Sequence, residues 1–187
     1  GVYGKSNHAE GYGVYSEGDA HVEGDLTWTA KTSRIAVTAA AFRPANKDID
    51  YVNDGFSLWH KGSVFDQQAF YAPVALPDGA VVSSMMARAC SLRPNDNVEG
   101  YLEVRLLRYA LEGDYSEGPS QLALVETTEP FEVMTCQTLT ASSLGISVDN
   151  GQYQYYLVAC LKGTYGGDEG YPQLRGVVIE YQVSEPY

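Results

Sequence analysis

The stretch YLEVRLLRY, Tyr101–Tyr109, decides the fold class of this chain. Apolar and polar side chains alternate along it with a period of two, which is the pattern of a β-strand and not of a helix. One face of such a strand carries Leu102, Val104, Leu106 and Arg108, and the other carries Tyr101, Glu103, Arg105, Leu107 and Tyr109. We therefore expect the first face to lie in a core and the second to be partly in contact with water.

Short alternating or β-branched runs recur on both sides of this strand, from Lys31 to the end of the chain. Turn signals such as LPDGA at 76–80 and DNGQ at 149–152 separate them. The predicted strands are Arg34–Ala40, Ser57–Trp59, Phe70–Val74, Val81–Ala89, Tyr101–Tyr109, Leu122–Thr127, Phe131–Leu139, Tyr153–Leu161 and Gly176–Val183. No segment has the pattern of a long amphipathic helix, and SSLGIS at 142–147 suits a single helical turn. So many short strands predict an all-β fold, an antiparallel jelly-roll-like β-sandwich, for residues 31–187.

The composition agrees with an all-β chain and excludes several functions. Tyr is frequent, with 15 residues against 5 Phe and 2 Trp, and 19 Gly and 8 Pro suit strands joined by tight turns. The 24 acidic residues outnumber the 12 basic ones, which gives a formal net charge of -12, so no nucleic-acid partner is expected. No apolar run approaches the roughly 18 residues that a membrane span requires, so no membrane span is expected.

An internal repeat occupies the beginning of the chain. GVYGKSNHAEGY at 1–12 aligns with GVYSEGDAHVEGD at 13–25, since both copies open with GVY and close with HAEG or HVEG. A period this short suits a strand–turn–strand unit, and one unit cannot bury its own apolar face. We therefore expect a stalk at residues 1–30, either a β-roll or β-strands intertwined between chains, followed by a sandwich head at 31–187. A flexible Gly-rich linker is the alternative.

Three chains wound about one axis would complete such a stalk. In that homotrimer the apolar side chains of the repeat would form the interface, namely Val2, Tyr3, Val14, Tyr15, Val22 and Leu26. The chain begins inside a repeat and without Met, so we expect a fragment or processed form of a longer polypeptide.

GVYGKS, GYGVYSEGDAHVEGDLTW and the HAEG tetrapeptide resemble the glycine-rich stalk repeats of bacterial trimeric surface adhesins and phage tail fibres. The resemblance covers roughly residues 1–28 and implies a stalk that leads into a globular head. AFYAPVALPDGAVVSSMMA at 69–87 resembles a module of bacterial secreted proteins with GVYG-type stalks, which implies a β-sandwich head and no particular chemistry. Both resemblances imply an extracellular location, on a cell surface or a virion.

The sequence shows no catalytic constellation. The GxSxG, Walker-type and GxGxxG signatures are absent. His8 and His21 occupy equivalent repeat positions, where they could hold a metal ion or an anion or pack as corner residues, and His60 is expected in a loop. Two facing carboxylates could make a glycoside hydrolase, but nothing in the sequence places such a pair. We therefore do not expect an enzyme.

The three cysteines, Cys90, Cys136 and Cys160, allow at most one disulfide within the chain. No Cys/His spacing resembles a zinc site. Cys90 and Cys160 each end an apolar strand, which favours burial of both as small apolar side chains. A disulfide would suit an extracellular protein, but the sequence does not select its partners.

Asp48, Asp50 and Asp54 in NKDIDYVNDG are the candidate metal ligands. Their alternating oxygens could hold calcium, although the segment lacks the glycine and the distal glutamate of an EF-hand loop. A solvated acidic loop is the alternative, and no other cofactor is expected.

Aromatic side chains in or beside predicted loops are the candidate ligand-binding residues. An exposed ring can stack on a sugar and its hydroxyl can hydrogen-bond to it, and the same rings suit a protein interface. These residues are Tyr51, Trp59, Tyr71, Tyr115, Tyr165 and Tyr171. The structural alternative is that they cover the ends of the sandwich.

Three functional hypotheses follow. The main one is a structural or adhesive subunit, the terminal part of a homotrimeric fibre or surface appendage, which attaches through its head to a glycan or another cell-surface receptor. The alternative is a carbohydrate-binding module that uses loop aromatics, with or without calcium. A glycoside hydrolase is the third.

Overall fold

The computed structural model describes residues 30–60, 68–90, 101–112, 118–127, 135–162 and 172–183. All of the predicted stalk except Ala30 lies outside these residues, as do His8 and His21. The proposed trimer interface also lies outside them, that is Val2, Tyr3, Val14, Tyr15, Val22 and Leu26. The stalk and the homotrimer therefore stay predictions.

Eleven β-strands and one short helical turn make up the described part of the chain. The strands are β1 Lys31–Thr38, β2 Arg43–Pro44, β3 Tyr51–Asn53, β4 Leu58–His60, β5 Gln68–Val74, β6 Val81–Cys90, β7 Tyr101–Ala110, β8 Ser120–Glu126, β9 Cys136–Ser147, β10 Tyr153–Lys162 and β11 Gln173–Val183. The 3-10 turn Ala39–Ala41 is the one helical element in these ranges, and it is far too short to cross a bilayer.

The strands form two antiparallel sheets that share one core. The six-stranded sheet has the order β3-β4-β11-β6-β9, and β1 also pairs with β11. The five-stranded sheet has the order β2-β5-β10-β7-β8. From β4 to β11 the chain changes sheet at every step except that from β7 to β8, which is the connectivity of a jelly-roll-like sandwich. The predicted all-β sandwich is confirmed.

Alternate residues of both sheets build the core. Leu102 and Leu106 of β7, Leu157 of β10, Met85 of β6 and Ile179 of β11 are fully buried and belong to one cluster. Burial of each such side chain stabilises the fold by roughly 1.5–3 kcal/mol relative to exposure. The period of two along β7 therefore separates a core face from an outer face, as the sequence predicted.

β11 lies inside the six-stranded sheet, because β6 covers one of its edges while β1 and β4 share the other. At Gly176 of β11 the backbone of β1 comes unusually close. A Cβ atom added at Gly176 would lie 2.9 Å from the carbonyl oxygen of Val37. The backbone of a paired strand cannot move aside as a flexible side chain would, so this position requires glycine.

The predicted turns at 76–80 and 149–152 are joined by hydrogen bonds. The backbone N–H of Asn150 donates to Asp78 Oδ1 at 2.7 Å, and Asn150 Nδ2 donates to the carbonyl oxygen of Leu76 at 2.8 Å. Two backbone hydrogen bonds beside these turns complete the connection. Both turns connect one sheet to the other, the first from β5 to β6 and the second from β9 to β10, and these hydrogen bonds hold them together.

The prediction around β9 is wrong in part. The strand predicted at Phe131–Leu139 begins outside the described residues, and the observed strand runs on to Ser147. SSLGIS at 142–147 belongs to this strand and does not form a helical turn. Positive φ angles at Ser143 (58°) and Gly145 (63°) accompany a register shift against β6, which is a β-bulge.

Cys90 of β6 and Cys136 of β9 form a disulfide. Cys90 is buried, as predicted, and it is bonded to Cys136, which lies at an exposed position; the sequence had left the disulfide partners open. Cys160 is buried, as predicted. Strand register, and not spacing along the chain, places Cys90 and Cys136 opposite each other.

Candidate functional site

The candidate site lies on the outer face of the five-stranded sheet, the face that points away from the core. Antiparallel register arranges its side chains in rows that cross the strands. Each row is given in the order β5, β10, β7. One row is Pro73, Tyr156 and Leu107, the next is Tyr71, Val158 and Arg105, and the third is Ala69, Cys160 and Glu103. On the other side of the first row, Gln154 of β10 lies beside Tyr109 of β7.

Four tyrosines line one groove on this face: Tyr71 of β5, Tyr156 of β10 and Tyr109 of β7 from three adjacent strands, and Tyr155 of β10, whose side chain belongs to the core. The groove has a volume of about 410 Å³, and Pro73 and Gln154 also line it. The ring centroids of Tyr71 and Tyr156 are 6.0 Å apart, with the rings tilted by 48°. Tyr71, Tyr156 and Tyr109 lie in three successive cross-strand rows, so this tyrosine groove crosses the strands diagonally.

A small apolar cluster packs beside the tyrosine groove on the same face of the sheet. Leu107, Val158 and Cys160 are buried although they point away from the main core, and Ala69 and Tyr156 pack against them. Tyr71, by contrast, exposes 42% of its surface. Rings that are already fixed on paired strands lose little further conformational freedom when a ligand binds.

The tyrosine groove is electrically neutral. Among the described residues, none that lines it carries a charge. Burial raises the pKa of the Tyr156 hydroxyl, and the neighbouring hydroxyls of Tyr71 and Tyr109 raise it further. The Tyr156 hydroxyl is therefore protonated at neutral pH, where it can both donate and accept a hydrogen bond. Gln154 adds an amide with the same two capacities.

A polar cluster lies on the same outer face, toward the other end of β7. The hydroxyl oxygen of Tyr101 is 2.8 Å from Glu103 Oε2 and 2.6 Å from Glu126 Oε2, and Arg105 forms an ion pair with Glu103. Burial of Tyr101 and its contacts with the two carboxylates raise the pKa of its hydroxyl. Glu103 is only 4% exposed, so its carboxylate interacts with Arg105 and Tyr101 and is not available to a ligand.

A second groove, of about 370 Å³, lies on the outer face of the six-stranded sheet. Ala36, Met86 and Val178 line it together with Arg88 and Arg175. No aromatic side chain of the described residues lines this groove. It therefore lacks the stacking surface that the tyrosine groove offers.

Of the six aromatic residues predicted from the sequence, the three that the structure describes are not brought together. Tyr71 lines the tyrosine groove, on a strand and not in a loop. Tyr51 packs edge to face against Phe70 of the core, with ring centroids 5.4 Å apart, and half-buried Trp59 lies on β4 in the other sheet. The remaining three lie outside the described residues, namely Tyr115, Tyr165 and Tyr171.

The structure does not assemble Asp48, Asp50 and Asp54 into a metal site. Asp54 Oδ1 accepts hydrogen bonds from the backbone N–H groups of Ser57 at 2.7 Å and Phe56 at 2.9 Å, and these bonds lower the pKa of Asp54. In the part of the chain that is described, no group of three His, Cys, Asp or Glu side chains could hold a metal ion. Asp54 therefore stabilises its own turn, and the calcium hypothesis gains no support.

His60 is not a loop residue. It ends β4 and is only 3% exposed. Burial lowers the pKa of its imidazole, and the negative charge of Asp50 opposes that effect. Near neutral pH His60 is therefore an uncharged interior side chain.

Tyr109 and Tyr156 were not predicted as ligand-binding residues, because the prediction was limited to aromatic residues in or beside loops. The sequence carried a signal for Tyr109 alone, which belongs to the partly wet face of YLEVRLLRY. Residues 155–161 of YQYYLVACLK form a continuous apolar run, so no alternation marks Tyr156 as an outer-face residue. Its place on the outer face follows from the strand register, in which Tyr156 is opposite Leu107.

No protein-family model matches the chain, and no curated protein matches it. Solved structures do match in fold. The xylan-binding module CBM15 is 18% identical, with a TM-score of 0.46 over 83% of this chain and 100% of that one. A CBM36 domain of a multidomain xylanase from the hindgut metagenome of Trinervitermes trinervoides is 11% identical, with a TM-score of 0.41 over 79% and 96%.

A protein of another class is similar at a lower score. Eiger TNF from S. frugiperda is 10% identical, with a TM-score of 0.35 over 84% of this chain and 95% of that one. At these identities and TM-scores the likenesses say nothing about the ligand of this chain.

Proposed function

We propose that this chain is a carbohydrate-binding module that holds a glycan in the tyrosine groove. The observation that carries the proposal is that Tyr71, Tyr156 and Tyr109, from three adjacent strands, line one uncharged groove on an outer sheet face. The proposal rests on these side chains, and the low-scoring structural likenesses add no weight to it.

The chemistry of the groove matches that of a sugar. A sugar ring presents apolar C–H faces and a rim of hydroxyl groups, and tyrosine offers a ring for the first and a hydroxyl for the second. The glycan chain runs across the strands along the line of Tyr71, Tyr156 and Tyr109. Gln154, which also lines the groove, hydrogen-bonds to the sugar hydroxyls.

The groove is also preorganised for ligand binding. Its strands are paired on both sides, since β10 lies between β5 and β7, and the cluster of Leu107, Val158 and Cys160 supports the Tyr156 ring. Binding then requires little ordering of the protein, which favours affinity from a small contact area.

We also propose an extracellular location. The disulfide between Cys90 and Cys136 supports it, because disulfides persist in oxidising compartments. The homotrimeric fibre remains a separate proposal that depends on residues 1–30. Glycan binding by the head would be its means of attachment.

A glycan array with the purified protein, followed by calorimetric titration of the best ligand, tests the proposed function. Tyr71→Ala and Tyr156→Ala should each weaken binding about tenfold, because each removes a stacking ring worth about 1.4 kcal/mol. Tyr156→Phe keeps the ring and should cost less. Phe56→Ala is the matched control, since Phe56 is 77% exposed between two strands of the other sheet.

Two results would overturn the proposal. One is an array on which the wild-type protein binds no glycan. The other is unchanged affinity in both Tyr71→Ala and Tyr156→Ala. Addition of a chelator in the same titration decides whether calcium takes part, and an unchanged affinity would remove calcium from the model.

A further inference from the structure

Arg43 lies directly beside the tyrosine groove. The edge strand β2 pairs with β5 so that Arg43 is opposite Tyr71 and Pro44 is opposite Phe70. Phe70 is buried in the core, so the other pair, Arg43 and Tyr71, lies on the outer face of the sheet. Arg43 is exposed, on the side of Tyr71 that faces away from Tyr156.

The charge of Arg43 is not neutralised by the described part of the chain. Four other arginines there have partners: Arg34 with Glu180 at 2.6 Å, Arg88 with Thr138 at 3.0 Å, Arg105 with Glu103, and Arg108 at 4.4 Å over the ring of Tyr153. Within the described residues no carboxylate forms an ion pair with Arg43. A guanidinium group in this position can bind an anion from outside.

The surrounding charges restrict the kind of anion. The groove itself is neutral, so it suits uncharged sugar rings. The whole chain has a formal net charge of -12, so a densely charged polyanion is repelled. A carboxylate that stands alone on a neutral chain brings only one charge close to the protein, and solution ions screen it from protein charges beyond about 8–10 Å, so the repulsion is small.

We propose, on the basis of the glycan-binding function above, that the ligand is a polysaccharide with a neutral backbone and isolated acidic side groups. Arg43 binds the carboxylate of one side group while the tyrosine groove holds the backbone. The planar guanidinium and the carboxylate form two parallel hydrogen bonds, which a lysine at this position could not reproduce.

Glucuronoxylan provides a matched pair of probes, because its uronic acid groups can be reduced to neutral sugars without change to the backbone. Calorimetric titration should show that the wild-type protein binds the native form about fivefold more tightly than the reduced form. The preference should shrink as NaCl is added. Arg43→Gln should abolish the preference and leave binding of the reduced form unchanged, and Arg43→Lys should restore only part of it.

Arg88→Gln is the control variant, since it removes the same charge from an exposed position on the other sheet. It should keep the preference of the wild-type protein. Equal binding of both forms by the wild-type protein overturns this inference and leaves the proposed function standing. Binding of neither form also overturns it, and the glycan array then decides the proposed function separately. If Arg43→Gln still prefers the native form, another residue binds the uronic acid group, and the role proposed for Arg43 is overturned.

Discussion

Cys90 and Cys136 are direct partners in the ladder between β6 and β9, and their Cα atoms are 4.0 Å apart. The disulfide that joins them closes a loop with a sequence separation of 46 residues. A loop of this length restricts the unfolded chain by about 4 kcal/mol in the chain-entropy model, of which about 2–4 kcal/mol is commonly observed. The edge strand β9 is thus tied covalently to the sheet.

We predict that reduction lowers the free energy of unfolding of the wild-type protein by about 2–4 kcal/mol. Urea titrations with and without dithiothreitol measure this difference. The double variant Cys90→Ala/Cys136→Ala should already have the lower stability and should not respond to the reductant. An equal response of the variant and the wild-type protein would contradict the assignment.

Gly176→Ala should destabilise the protein by about 1–3 kcal/mol, because the new methyl group would meet the carbonyl oxygen of Val37 at 2.9 Å. The control is Gly118→Ala, where an added Cβ meets nothing within 4 Å. Chemical denaturation of both variants gives the comparison. Equal stabilities of the two variants would show that β1 does not approach β11 this closely.

Asn150→Ala should lower the stability by about 1 kcal/mol, because it removes the side-chain hydrogen bond from Asn150 to the carbonyl oxygen of Leu76. Asn46→Ala serves as the control, since Asn46 accepts a hydrogen bond from the exposed backbone of Asp48, two residues away. A smaller loss for Asn46→Ala is the expected result. The reverse order would mean that the two turns do not depend on each other.

The stability of the protein should fall as the pH decreases below 6.5, the ordinary pKa of histidine. Burial lowers the pKa of folded His60, so between the two pKa values the unfolded chain binds a proton that the folded chain excludes. The stability that this exclusion provides is complete above pH 6.5 and is lost as the pH falls toward the folded pKa. Urea titrations at several pH values measure the slope.

Two variants test the assignment of that slope to His60. His60→Leu should flatten it. Asp50→Asn removes the charge that raises the pKa of His60, so the loss of stability should extend to lower pH than in the wild-type protein. A slope that is unchanged in both variants would assign it to groups other than His60.

The sequence predicts the sandwich well because its strands are long enough to show their period. YLEVRLLRY matches β7, and Leu102, Val104 and Leu106 are buried as the alternation requires. The strands β2 and β3 were missed because two or three residues are too few to show a period. The strand predicted at Phe131–Leu139 was ended too early, since β9 runs on to Ser147 and its bulge interrupts the alternation beyond Leu139.

The candidate site could be predicted only in part. Tyr71 was singled out, whereas Tyr109 and Tyr156 belong to strands that are remote from it along the chain. Their meeting depends on β10 lying between β5 and β7, and this strand order is a property of the packed sheets that local patterns do not contain. The disulfide between Cys90 and Cys136 could not be predicted for the same reason, because it depends on the pairing of β6 with β9.

The bulge at Ser143 and Gly145 has a consequence for the behaviour of the protein at high concentration. Among the described strands β9 is the last of its sheet, so its outward N–H and C=O groups are the place where the strand of a second molecule could add. Two residues with left-handed φ angles interrupt that row of groups and twist the strand. The interruption shortens the continuous edge with which a second molecule could pair, which disfavours edge-to-edge association of crowded molecules.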